Sequence, residues 1–107
     1  MKTKVRAYLV MLAVTCAFST WTFAADSAAD VFKAKCATCH GADGKGDTAM
    51  GKSMKVKDLG GADVQAMSDA DLNGAIAKGK KPMPAYEGKL TPDQINDLVK
   101  YIRALKK

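Results

Sequence analysis

The 107-residue chain has few of the residues that would open several function classes to it. It contains one histidine, one tryptophan and three cysteines, and aromatic residues make up only 7% of it. So few aromatics leave no stacking platform for single-stranded nucleic acid, and the basic residues are not clustered densely enough for a phosphate-binding stripe. Only one hydrophobic run stands out, from Ala7 to Phe18, and it is too short to cross a bilayer. Neither an internal repeat nor a low-complexity tract is present. Its length allows one small domain, and 48% hydrophobic against 26% charged residues makes that domain globular rather than disordered.

The first residues have the pattern of an export signal rather than of a retained anchor. Lys2, Lys4 and Arg6 precede the apolar run, and Thr22 and Ala24 supply small residues at the −3 and −1 positions of a cleavage site. Cys16 is not a lipidation site, because Ala13-Val14-Thr15 lacks the leucine and the small residue such a site needs. Residues 1–24 are therefore expected to be removed, leaving one domain over residues 25–107 in the periplasm. Cleavage would take away Cys16, Trp21 and three basic residues, lowering the net charge from +6 to +3. A domain of that size has a marginal apolar core and needs something further to hold it together.

Three helices are predicted, and the fold class is all-α. The first runs from about Ala28 to Cys39, with Ala28, Val31, Phe32, Cys36 and Cys39 on one face. A second starts at the N-cap Ser68, turns Leu72, Ala75 and Ile76 inward, and stops near Gly79. The third has Thr91, Pro92 and Gln94 as a capping box with proline in the first turn, followed by an apolar stripe of Ile95, Leu98, Val99, Ile102 and Leu105. Between the first two lies an irregular stretch, Gly41 to Met67. So long a loop in so small a domain implies that it wraps around something. Prolines flanking Met83 keep the segment from Gly79 to Tyr86 extended.

Cys36-Ala37-Thr38-Cys39-His40 is a C-x-x-C-H sequence, the attachment signature of c-type haem. Two thiols on one helical turn can each add to a porphyrin vinyl group, and the following histidine is then held against the iron. A dithiol redox site would need strand–helix alternation, which is absent. A zinc site would need a fourth strong ligand, and a C-x-x-C disulfide would close too short a loop to stabilise much. With His40 as one axial ligand, a thioether is the natural sixth ligand. Of Met50, Met54, Met67 and Met83, the last sits on a backbone pre-set by two prolines, which favours it. Met67 reads as core packing, and Met50 and Met54 as loop residues able to pack on the ring.

The chain resembles the class I cytochromes c, and in particular their small single-haem bacterial type. Phe32 ahead of the motif, the loop from Gly41 to Asp47, Met83-Pro84-Ala85-Tyr86 and a last helix bearing Tyr101 carry the resemblance. It implies a small cytochrome c fold, three main helices with long loops around one covalent haem c. The first and last helices should touch through Phe32 and Tyr101. It also implies Cys36 and Cys39 as thioether positions, with His40 and Met83 as axial ligands. Ala28 stands where the family often has glycine. No proline between His40 and Pro82 can orient the histidine, so another carbonyl must accept its hydrogen bond.

Two protein ligands on iron leave no open position, which argues for one-electron transfer between redox partners rather than catalysis. Lys45, Lys52, Lys55, Lys57, Lys78, Lys80, Lys81 and Lys89 fall in segments expected around the haem crevice. They could steer an acidic partner, or simply be solvated surface residues. The carrier is expected to be a monomer, without nucleic-acid partners and without a stable membrane span after processing. The competing readings are a haem enzyme or a gas or peroxide sensor with a labile Met83, and a subunit through which a larger oxidoreductase receives electrons.

Overall fold

The computed structural model of the protein describes residues 27–107, so the leader expected over residues 1–24 lies outside the described part. Among the described residues the chain is helical and forms no strand. Only two isolated bridges occur, Lys80 with Met83 and Glu87 with Leu90.

The first helix begins at Ser27, whose hydroxyl accepts from the Asp30 N–H at 3.3 Å. It runs as α1 (Ala28–Val31), continues as a π-helical stretch over Phe32–Cys36, and returns to α-geometry in α2 (Ala37–His40). Val31 and Phe32 are buried, and Ala28 and Cys36 pack at the edge of the core. The predicted helix is therefore present, but the spacing of its apolar residues gave no sign of the π-helical shift.

The stretch expected to be irregular contains two short helices, α3 (Ala49–Ser53) and α4 (Ala62–Gln65). Thr48 caps α3 by accepting from Gly51 N–H at 2.8 Å. Next come α5 (Asp69–Lys78) and α6 (Pro92–Ala104). Ser68 caps α5 by accepting from Asp71 N–H, and Thr91 and Gln94 form the reciprocal capping box of α6.

The core lies where α6 packs on α1 and α5. From α6 it takes Ile95, Leu98, Val99 and Ile102, and from α5 Leu72 and Ile76. Phe32 and Leu98 are the most deeply buried large side chains. Burial of each such side chain contributes roughly 1.5–3 kcal/mol. The Phe32 and Tyr101 rings meet at 4.9 Å between centroids, tilted by 37°, so the expected contact between first and last helices is present. Polar clasps hold α4 to α6. Gln65 Nε2 donates to the carbonyls of Leu59 and Ile102, both at 2.8 Å, while Arg103 donates to the Gln65 and Met67 carbonyls and to Asp69.

Candidate haem site

The turn carrying the C-x-x-C-H sequence is braced from outside by the loop that follows it. Gly41 N–H donates to Ala37 O at 2.8 Å, Gly46 N–H to His40 O at 2.7 Å, and Thr48 Oγ1 to Cys39 O at 3.0 Å. The carbonyls of Ala37, Cys39 and His40 are thus occupied, which fixes the turn without any bond from its own side chains. Gly51 lies so close to the Cys39 carbonyl that any side chain there would collide with it. Thr48 and Gly51 are functional supports that the motif alone does not reveal.

Cys36, Cys39 and His40 line a cavity of about 400 Å³, a size typical of small-molecule and cofactor sites. Leu72, Ile76, Leu98 and Ile102 close its interior with aliphatic surface. Both cysteines are free thiols, and burial pushes the Cys36 thiol up, opposed by the Lys35 charge. Burial lowers the pKa of His40 below its ordinary value, so its imidazole is neutral at pH 7 with a lone pair available.

Met83 reaches the same cavity from the segment after α5. Two backbone hydrogen bonds pin it, Met83 N–H to Lys80 O at 2.7 Å and Lys80 N–H to Met83 O at 3.2 Å. Gly79 allows the fold-back: its φ is +69°, and Met83 O, Pro84 C and Ala85 N crowd the point where a Cβ would stand. Met54 and Met67 also line the cavity, whereas Met50 is outside its lining and 48% exposed. Met67 is 36% exposed and not in the core, which corrects the expectation of core packing. Its place follows from the Arg103 bond to its carbonyl, which fixes the backbone at the cavity wall.

The expected carbonyl partner for His40 does not materialise. His40 Nδ1 is buried without a hydrogen-bond partner. The cavity brings the His40 imidazole beside two thiols and a thioether, a donor set suited to a haem iron and its vinyl groups. The residues present therefore fit the group: Cys36 and Cys39 for attachment, His40 and Met83 for axial ligation.

The rim is basic. Lys35, Lys55, Lys57, Lys80 and Lys81 line the cavity and no carboxylate does. Lys55, Lys57, Lys80 and Lys81 were among the lysines expected there. Lys45, Lys52, Lys78 and Lys89 lie outside the lining, and Lys35 was not foreseen. Tyr86 completes the rim. Its hydroxyl donates to Lys35 O at 3.0 Å, and burial raises its pKa.

Comparison with known proteins agrees with this chemistry. Residues 23–102 match the family described as cytochrome c oxidase, cbb3-type, subunit III. The chain is 39% identical over 100 residues to a cytochrome c6 of Nostoc sp., covering 88% of this chain and 86% of that protein. It is 38% identical over 87 residues to the cbb3-type cytochrome c oxidase subunit FixP of Azorhizobium caulinodans, covering 78% of this chain but 28% of that protein. The solved structure of the KustC0563 c-type cytochrome superposes with a TM-score of 0.70 at 31% identity, covering 76% of this chain and 99% of that one.

Proposed function

Since the chain belongs to the cbb3-type subunit III family, among the small class I c-type cytochromes, we propose that Cys36 and Cys39 form its thioether links and that His40 and Met83 are its axial ligands. The protein is a single-haem electron carrier with covalently bound haem c. One observation carries the assignment: two thiols of one turn, the adjoining imidazole and the Met83 thioether all line one mainly aliphatic cavity.

When bound, haem c supplies a ferric/ferrous couple, and a thioether ligand in an apolar site favours the reduced state. The chain's own residues do the rest. His40 offers a neutral imidazole, because burial disfavours its protonated form. The braced turn from Ala37 to Gly41 fixes where that imidazole sits, and Leu72, Ile76, Leu98 and Ile102 keep water from the interior. Held by His40 and Met83, the iron would have no position open to substrate, and only electrons would need to pass.

The lysine rim favours redox partners with acidic docking surfaces, whose encounter it would speed at low salt. We further assign residues 1–24 to a cleaved export signal and the carrier to the periplasm, as a monomer. The family match begins at residue 23, beside that cleavage point, and no helix among the described residues is long and apolar enough to cross a membrane.

The test is an absorption spectrum of exported, haem-loaded protein, oxidised and then reduced, beside Met83→Ala. Sharp low-spin reduced bands, with a far-red sulfur–iron band lost in the variant, are expected. A high-spin spectrum, or rapid carbon monoxide binding by the reduced protein, would overturn the ligand assignment and favour an enzyme or sensor.

A further inference from the structure

The π-helical stretch changes the hydrogen-bond count of the first helix. Ala37 N–H donates to Phe32 O, five residues back, while Gly41 N–H donates to Ala37 O, four back. Between these two bonds lie the four carbonyls of residues 33–36 but only the three N–H groups of residues 38–40. One carbonyl is therefore surplus, as π-helical turns leave it. Tyr86 donates to the carbonyl of Lys35 in this stretch.

Tyr86 stands at the far end of the segment that carries Met83. Its backbone is anchored, with Tyr86 N–H donating to Ile76 O at 3.1 Å and its own carbonyl accepting from Lys89 and Leu90 N–H at 2.9 Å. Between Gly79 and Tyr86, by contrast, the chain lies along the cavity wall through Lys80, Lys81, Pro82, Met83 and Pro84, and its backbone hydrogen bonds run only between Lys80 and Met83. A segment with so few hydrogen bonds to the rest of the fold opens locally at low cost. Among the described residues, the Tyr86 hydroxyl makes the one side-chain hydrogen bond joining this segment to the first helix.

We infer that Tyr86 is a positioning residue that latches the Met83 segment shut. Its hydroxyl, bonded to the Lys35 carbonyl, holds that segment against the helix bearing Cys36, Cys39 and His40, and so limits how readily an outside ligand displaces Met83. This inference rests on the assignment of Met83 as an axial ligand. A phenylalanine would keep the ring packing and lose the latch.

The experiment titrates imidazole into ferric, haem-loaded wild type, Tyr86→Phe, Met83→Ala and the double variant, following the haem spectrum. An exposed hydrogen bond lies at the weak end of its class, so Tyr86→Phe should bind imidazole about two- to fivefold more tightly than wild type. In the Met83→Ala background the same substitution should change nothing, because there is no Met83 left to hold. An unchanged Tyr86→Phe affinity beside a tighter Met83→Ala overturns the latch alone. So does an equal shift in both backgrounds, which would mean general loosening. If Met83→Ala binds no more tightly than wild type, the ligand assignment falls and the latch with it.

Discussion

Replacing Gly79 with alanine separates two ways in which the backbone presents Met83. Gly79 has φ +69° and ψ 169°, a region open almost only to glycine, where another residue costs about 1–3 kcal/mol. An added Cβ would also stand 2.7 Å from each of Met83 O, Pro84 C and Ala85 N. All three are backbone atoms, so the segment itself must move, at a further cost of about 1–3 kcal/mol. Gly88 provides the control. Its φ is +82°, but nothing lies within 4 Å of its would-be Cβ, so Gly88→Ala carries only the dihedral cost of about 1–2 kcal/mol. Urea unfolding of the two haem-loaded variants gives the difference in stability. The far-red sulfur–iron band shows whether Met83 still reaches the iron. Gly79→Ala should be the less stable of the two and should lose the band, whereas Gly88→Ala keeps it. Equal stabilities together with an intact band in both would refute the steric argument.

Four further tests probe the frame around the site. Phe32→Ala should cost about 3–5 kcal/mol in urea unfolding, because it empties the most buried aromatic position and removes the contact with Tyr101. Arg103→Gln should cost about 1–3 kcal/mol by the same measurement, and Arg103→Lys should recover only part, since one ammonium cannot reach Asp69 and two carbonyls together. Hydrogen bonds from the Lys107 ammonium and the Gly60 N–H hold the Asp58 carboxyl below its ordinary value. The stability this contributes is present above the unfolded value of 3.8 and is lost as pH falls through the lower folded value. Carboxyl NMR titration should show Asp58 moving back up in Lys107→Met. Finally, Cys36→Ala/Cys39→Ala protein made without haem should show much weaker helical circular dichroism than the haem form, because the 400 Å³ cavity leaves the core incomplete.

The long helices were legible because their signals are local. Ser68, Thr91, Pro92 and Gln94 stand at the predicted caps, and the stripe from Ile95 to Ile102 is buried as its spacing requires. Helices α3 and α4 were not legible, since four or five residues are too few to show a period and their formation depends on tertiary contacts. Gly51 in the middle of α3 reads as a helix breaker until the Cys39 carbonyl beside it is seen. Cys36, Cys39 and His40 were singled out by their adjacency and Met83 by its flanking prolines, and all four line the cavity. The bond between Tyr86 and Lys35 joins positions 51 apart and depends on a hydrogen-bond shift within a helix, so no sequence pattern carries it. Met67 was misread because its apolar character says nothing of which wall it lines.

The meeting of Phe32 with Tyr101 has a consequence for how the chain assembles. The two rings are about 70 residues apart in sequence, so their contact closes a loop containing nearly every element that surrounds the cavity. Closing a loop of that length costs on the order of 4 kcal/mol in chain entropy. Once it is closed, α5 needs only a short further search to dock on α6, and the intervening segments are already confined near their final places. Joining the first and last helices is thus the entropically costly long-range contact of this fold, one that local helix propensity does not offset.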